Sequence, residues 1–192
     1  MNLPNSITLV RLFCVPVVVW LILEDRMAAA FWVSLAASLS DAIDGIIAKR
    51  FHMETVLGGF LDPIADKALL VCVYVALGHE GYLPIWLVIM VVFRDALIIG
   101  GAILFHTLTQ NLTMNPLMVS KINTVAQLIL AVVVLASAAF GLNDLPLRQV
   151  LVYVVAATTF ASGAAYVVGW TRLASEMEVP EDHTEDHPEA RL

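Results

Sequence analysis

The sequence predicts an all-α polytopic membrane protein with six transmembrane helices and an N-terminal interfacial segment. Three observations carry this. Hydrophobic residues fill 60% of the 192 positions and charged residues only 14%, where an ordinary soluble domain carries roughly a quarter charged. Mean hydropathy is +0.86. The apolar residues also fall in long runs separated by short polar breaks, and at ~20 residues per crossing the chain has room for about six.

Taken in order, "NLPNSITLVRL" opens with turn formers and then becomes helical. Its Asn2, Asn5 and Arg11 suit an interfacial entry before a first crossing that ends near "EDR", residues 24–26. A second helix is predicted from Met27 to Lys49 and a third from Gly59 to Gly78. "HEGYLP" (79–84) reads as a turn, and a fourth helix follows from Ile85 to Phe105. Residues 106–116 are polar, with Asn115-Pro116 as a breaker. A fifth helix fits Leu117 to Phe140, "GLNDLP" (141–146) is another turn, and a sixth helix reaches Trp170. No internal repeat stands out. Arg11 interrupts the start of the first apolar run with no basic residue before it, so a retained helix is expected rather than a cleaved signal peptide.

The formal charge of −7 belongs to one end of the chain. Residues 176–192 hold seven acids against one base, leaving ten acids and nine bases elsewhere. The expected division is a membrane domain over 1–174 and an acidic, disordered tail over 175–192, which lacks the apolar area to fold alone. His183 and His187 have a metal-clasp spacing, but the acidic, proline-containing context favours a solvated segment. No nucleic-acid partner is expected. Cys14 and Cys72 lie in apolar runs as buried thiols.

Lys and Arg near helix ends set the orientation. Arg11, Lys49, Arg50, Lys67, Lys121 and Arg172 fall on one side, Arg26 and Arg148 on the other. The basic side is therefore cytoplasmic and holds both termini. There the second helix ends and the third begins, at the mouth of one helical hairpin.

That mouth carries four aspartates. Asp41 and Asp44 are three apart on the second helix, and Asp62 and Asp66 four apart on the third, so each pair shares a face. Gly45 and Ala48 leave space beside the first pair, and Gly58 and Gly59 let the chain turn back. Four clustered carboxylates repel one another unless a cation intervenes. Helix capping would explain one pair alone; two pairs meeting on one side point to a metal site. Oxygen-only donors favour magnesium, manganese or calcium, with magnesium usual where phosphates complete the shell. Lys49, Arg50 and Lys67 adjoin the acids, as a phosphate or diphosphate ligand would require.

Arg94 lies within the fourth apolar run, where a lone Arg costs at least ~2.5 kcal/mol. It must face the bundle interior or a wet cavity, near an anionic ligand. Asp95, one residue on, is expected to point elsewhere on the helix. In "SKINTVAQ" (120–127), Lys121 is assigned to the site and Gln127 to interhelical hydrogen bonding.

With these residues in view, the pattern D-x-x-D-G-x-x-A-R-x8-G-x-x-x-D-x-x-x-D resembles the signature of the CDP-alcohol phosphatidyltransferases. The sequence fits it at Asp41, Asp44, Gly45, Ala48, Gly58, Asp62 and Asp66. One position departs: the Arg of the signature is Lys49 here, followed by Arg50, which keeps the charge and loses the guanidinium fork. Within the family, "SKINTVAQLIL" and "FRDALII" look most like the CMP-forming cardiolipin synthases of the eukaryotic type.

The resemblance implies that Asp41, Asp44, Asp62 and Asp66 hold two Mg2+ (or Mn2+) ions against the diphosphate of CDP-diacylglycerol. It implies Asp66 as general base, with Asn5, Thr8, Gly45, Ala48, Lys49 and Gly58 around the CDP-lipid. Arg94 and Lys121 would receive the acceptor, phosphatidylglycerol, giving cardiolipin and CMP. A homodimer among membrane lipids is expected, in a bacterial inner membrane with the site facing the cytoplasm. Two alternatives stay open: glycerol 3-phosphate as acceptor, and, from another class, a cation transporter using the aspartates as a passage site.

Overall fold

The computed structural model describes residues 3–51, 56–109, 118–142 and 145–177, with side chains over 12–39, 67–101, 118–142 and 146–171. The described residues form six α-helices: α1 (Leu3–Leu23), α2 (Met27–Phe51), α3 (Val56–His79), α4 (Ile85–Thr109), α5 (Met118–Phe140) and α6 (Leu145–Met177). At 1.5 Å per residue, even the shortest, at 21 residues, is about as long as a hydrocarbon core is thick. Among the described residues, Met118–Phe140 and Pro146–Thr171 are long and apolar enough to cross a membrane.

Two boundaries differ from the sequence reading. The opening is not a separate interfacial segment, because α1 runs unbroken from Leu3 through Pro16 to Leu23. Pro4 falls in the first turn, where no intrahelical N–H is needed. The sixth helix passes Trp170 and reaches Met177, since "TRLASEM" holds good helix formers and no breaker. The tail from 178 lies outside the described residues.

The helices form a closed circuit in which α1 touches α2 and α3, α4 touches α3 and α6, and α5 touches α2 and α6. α3 and α5 meet across the middle. Among the described residues the backbones of α2 and α3 do not approach each other closely. α1 packs against both α2 and α3 on one side, and α5 packs against both on the other.

Helices α1, α3 and α5 end alike. Asp25, Gly81 and Gly141 take positive φ of 55°, 77° and 63°, and the following N–H reaches five residues back. Arg26 N–H donates to the Leu21 carbonyl at 2.8 Å, Tyr82 to Leu77 at 2.9 Å and Leu142 to Ser137 at 3.0 Å. These are Schellman closures, and Asp is among the few non-glycine residues that enter this region readily. Contacts place the turns at one end: the Tyr82 hydroxyl makes a long 3.5 Å contact to Asp25 Oδ1, and Phe31 meets Phe140 edge-on with ring centroids 5.6 Å apart. Burial, with the Asp25 and Glu80 carboxylates, holds the Tyr82 phenol above its usual pKa.

The exterior is as apolar as the interior, and a few polar residues are buried within the apolar core. Phe13, Trp32, Phe93, Tyr153 and Phe160 are exposed, while Arg94, Asp95, Asn123, Gln127, Thr159 and Ser162 are buried. Such an apolar outer surface suits lipid rather than water.

Small residues admit close helix approach. A Cβ on Gly78 would lie 2.8 Å from Val88 Cγ2, and one on Gly101 would lie 1.9 Å from the Trp170 ring. Gly101→Ala is expected to lower stability by about 1–3 kcal/mol through overpacking. Thermal unfolding in detergent measures this, and Trp170→Leu in the same background should restore most of the loss.

Candidate functional site

The aspartates fall at the end of the bundle opposite the three closed turns. Asp41, Asp44, Gly45, Ala48 and Lys49 lie in the second half of α2, and Gly58, Asp62 and Asp66 in the first half of α3. Asn5 and Thr8 lie near the start of α1. Their side chains are outside the described residues; their backbones and helical register are not.

Register is informative because a cavity of about 200 Å³ opens between α2, α3 and α5. Its lining includes Ser34 and Ser38 from α2, Leu70 and Val73 from α3, and Thr124 and Leu128 from α5. Continuing the α2 stripe by three and then four residues gives Ser34, Ser38, Asp41 and Gly45. Continuing the α3 stripe gives Val73, Leu70, Asp66 and Asp62. Asp44 follows Asp41 by three. By helical register, Asp41 continues the α2 stripe that lines this cavity, and Asp66 and Asp62 continue the α3 stripe. Four hard oxygen donors fit magnesium or manganese in chemistry and in register.

Arg94 and Asp95 show what the interior demands. Both are only 3% exposed, and they pair, Arg94 Nη1 donating to Asp95 Oδ1 at 2.6 Å. This corrects the expectation that Asp95 points elsewhere. Successive residues diverge on a helix, but the long guanidinium can reach back across that angle. Arg94 Nε donates to Ser162 Oγ at 3.2 Å and Nη2 to Ser120 Oγ at 2.7 Å, with a second, shorter Nη2 bond to Ser162. Lys67 Nζ donates to both Asp95 oxygens, at 2.9 and 3.1 Å. One polar cluster therefore joins α3, α4, α5 and α6. Lys67 directly follows Asp66 in the chain, so the cluster begins one residue from the acidic stripe.

Lys121 is exposed, next to the Ser120 that binds Arg94. Farther along α5, Asn123 Oδ1 accepts the Thr158 and Thr159 hydroxyls at 2.9 Å each. The Gln127 carbonyl accepts Tyr74 Oη at 2.9 Å. Asn123 does link helices, whereas Gln127 contributes only its backbone carbonyl, its buried side-chain amide having no hydrogen-bond partner among the described residues. Sequence reasoning missed Ser120, Ser162, Thr158 and Thr159. Ser162, inside "FASGAAY", gives no signal beyond a small-residue patch.

Residues 1–161 match the profile described as CDP-alcohol phosphatidyltransferase. The chain belongs to the CDP-alcohol phosphatidyltransferase family. This family member is 32% identical to the rice protein named CDP-diacylglycerol–glycerol-3-phosphate 3-phosphatidyltransferase 1, chloroplastic, over 90% of this chain and 58% of the relative. It is 33% identical to the human protein named cardiolipin synthase (CMP-forming), over 86% of this chain and 60% of the relative. It is 29% identical to the Bacillus subtilis CDP-diacylglycerol–glycerol-3-phosphate 3-phosphatidyltransferase, over 86% of this chain and 93% of the relative. The chain thus spans about three fifths of the length of the rice and human relatives.

Ser162→Ala removes the hydroxyl that receives Nε and Nη2 of Arg94 and is expected to destabilise the protein by about 2 kcal/mol. Ser120→Ala, removing one bond, should cost less. Thermal unfolding of both variants in one detergent gives the order.

Proposed function

We propose that this protein transfers a phosphatidyl group from CDP-diacylglycerol to phosphatidylglycerol, releasing CMP and forming cardiolipin. The observation that carries the reading is the complete D-x-x-D-G…D-x-x-x-D spacing, with the Asp41, Asp62 and Asp66 stripes running on from the two walls of one cavity. Family membership supports phosphatidyl transfer and leaves no motivation for the transporter. The phosphatidylglycerol acceptor is favoured by the "SKINTVAQLIL" and "FRDALII" segments and by the human relative's name.

In the proposed reaction, Asp41, Asp44, Asp62 and Asp66 form the ligand set for two divalent ions. Bound cations would neutralise the charge gathering on the donor diphosphate. Asp66 takes the proton from the acceptor hydroxyl as its oxygen bonds to the phosphorus bearing diacylglycerol. The bond from that phosphorus to the CMP oxygen breaks, and CMP leaves with the electron pair. Gly45 and Ala48 leave room for the cytidine nucleotide, with Asn5, Thr8 and Gly58 beside it. Lys49 lies against the diphosphate. Arg94 and Lys121 attract the acceptor phosphate, and positioning with electrostatics supplies most of the acceleration.

The proposed setting is a bundle of six crossings, with the site on the cytoplasmic side of a bacterial inner membrane. The working unit is a homodimer, and the membrane domain ends near residue 174. Glycerol 3-phosphate is the second acceptor reading, favoured by the names of the rice and Bacillus relatives.

Asp44→Asn and Asp62→Asn should each reduce CMP release by about a hundredfold or more, with unfolding temperatures near that of the parent. EDTA should abolish turnover and Mg2+ or Mn2+ restore it; full activity in EDTA would sink the metal assignment. For Asp66→Asn, CDP-lipid binding should persist while turnover collapses.

An acceptor panel with purified protein and CDP-diacylglycerol tests the substrate. Cardiolipin should form from phosphatidylglycerol, with little product from glycerol 3-phosphate, inositol phosphate or serine. A clear preference for glycerol 3-phosphate would overturn the acceptor reading and leave the aspartate chemistry standing.

A further inference from the structure

The cavity between α2, α3 and α5 takes no part in the proposed bond-making, yet it has the form of a slot with a mouth, a floor and an open side. Its hydroxyl-bearing residues, Ser34, Ser38 and Thr124, all lie nearer the aspartate end than Phe31 and Leu135, the lining residues of α2 and α5 farthest from it. This floor is firmly held. Leu135 is buried, and Phe31 meets Trp32 and Phe140 edge-on, with ring centroids 5.2 and 5.6 Å apart. Leu128 lines the slot and is also exposed on the outside of the bundle. In a bundle surrounded by lipid, that side opens onto hydrocarbon.

From Asp41 to Phe31 the axis of α2 advances about 15 Å, at 1.5 Å per residue. Half of a ~30 Å hydrocarbon core has the same depth, and that is what one acyl chain spans in a leaflet. An empty apolar slot forfeits the dispersion contacts of its lining, and a hydrocarbon chain restores them. Water would find no hydrogen-bond partner among the side chains of Phe31, Ala131, Val132 and Leu135 in the deep part. By register, the lining stripes of α2 and α3 run on to Asp41, Asp66 and Asp62. A lipid whose phosphate sits at those carboxylates therefore has an acyl chain within reach of the slot.

We infer that the slot receives one acyl chain of the CDP-diacylglycerol donor and selects its length, with Phe31 and Leu135 as specificity-determining residues. The donor, rather than the acceptor, is the lipid whose phosphate belongs at the aspartates; the inference rests on that proposed reading. Its diacylglycerol stays on the attacked phosphorus from donor to product, so a seated chain holds that phosphorus in place throughout the transfer. Selection is steric. A methylene gains little on leaving lipid, which is as apolar as leucine, whereas a chain too long for the slot must overpack the floor or draw its phosphorus away from the aspartates.

The first measurement uses the unaltered protein in detergent. CDP-diacylglycerol carrying a diazirine at the end of each acyl chain is photolysed on the protein, and the labelled residues are located by mass spectrometry. Label is expected at the floor, around Phe31 and Leu135. Excess unlabelled CDP-diacylglycerol should remove it, while equal amounts of phosphatidylglycerol or phosphatidylcholine leave most of it. No label at the floor overturns the inference, and so does equal removal by the other lipids, which would mean that the slot takes any chain.

The second measurement compares kcat/KM for dioleoyl and dihexanoyl CDP-diacylglycerol at one saturating acceptor concentration. Ala131 is buried and lines the slot between Thr124 and Leu135. Ala131→Phe fills the space below it and should lower the dioleoyl-to-dihexanoyl ratio by about tenfold or more. Phe31→Ala deepens the floor and should move the preference toward longer chains. Changing the acyl chains of phosphatidylglycerol instead should leave these effects unseen. An unchanged donor ratio in both active variants overturns the inference, as does a ratio that follows the acceptor's chains. A protein that releases no CMP with any acceptor overturns the proposed reaction itself, and the labelling experiment still decides what the slot holds.

Discussion

A guanidinium inside an apolar bundle is the constraint on which the C-terminal half of this structure depends. Arg94 cannot remain charged in hydrocarbon without partners, and its partners come from three helices. Asp95 is on its own helix α4, Ser120 on α5 and Ser162 on α6. Asp95 then draws in Lys67 from α3. None of these groups is well placed alone, because removing one side of a buried pair leaves the other charge stranded. Ionic demand holds α3 to α6 in mutual register.

Lipid gives the helices little hydrophobic reason to associate, since the surroundings are as apolar as leucine. The interior accordingly uses two other devices. Hydroxyls meet amides and carbonyls, as where Thr158 and Thr159 share Asn123 Oδ1. Elsewhere a missing side chain brings helices close, as where Val88 occupies the space beside Gly78. Large apolar residues such as Phe93 and Phe160 are left to face outward.

Most of the helix breaks were legible in the sequence, because "HEGYLP" and "GLNDLP" are strong local punctuation. The start of α1 was legible at Pro4 and Asn5, since a proline in the first turn is compatible with helix; that the interfacial entry and the first crossing would form one helix was not. That the two acidic pairs lie on α2 and α3 was legible, because the surrounding apolar runs are long enough for helices. That α1 and α5 each pack against both α2 and α3 was not, since no local pattern encodes which helices meet across the bundle. Nor was the Arg94–Asp95 pair. Adjacent residues diverge along an isolated helix, and only contacts from Lys67, Ser120 and Ser162 determine where those two side chains settle.

The three left-handed turns give the molecule a polarity of construction. At Asp25, Gly81 and Gly141 the chain reverses with the last helix carbonyls satisfied by the turn itself. That end offers little unsatisfied backbone, and Asp25, Arg26, Tyr82 and Ala139 line an open hollow beside the turns. Helices α2 and α4 end, and α3 and α5 begin, at the other end. The bundle therefore has a base of tight turns and a rim where the aspartate-bearing helices end and begin. For the proposed chemistry, donor, acceptor and nucleotide product would all have to share the rim, so the order in which they arrive and depart becomes part of catalysis.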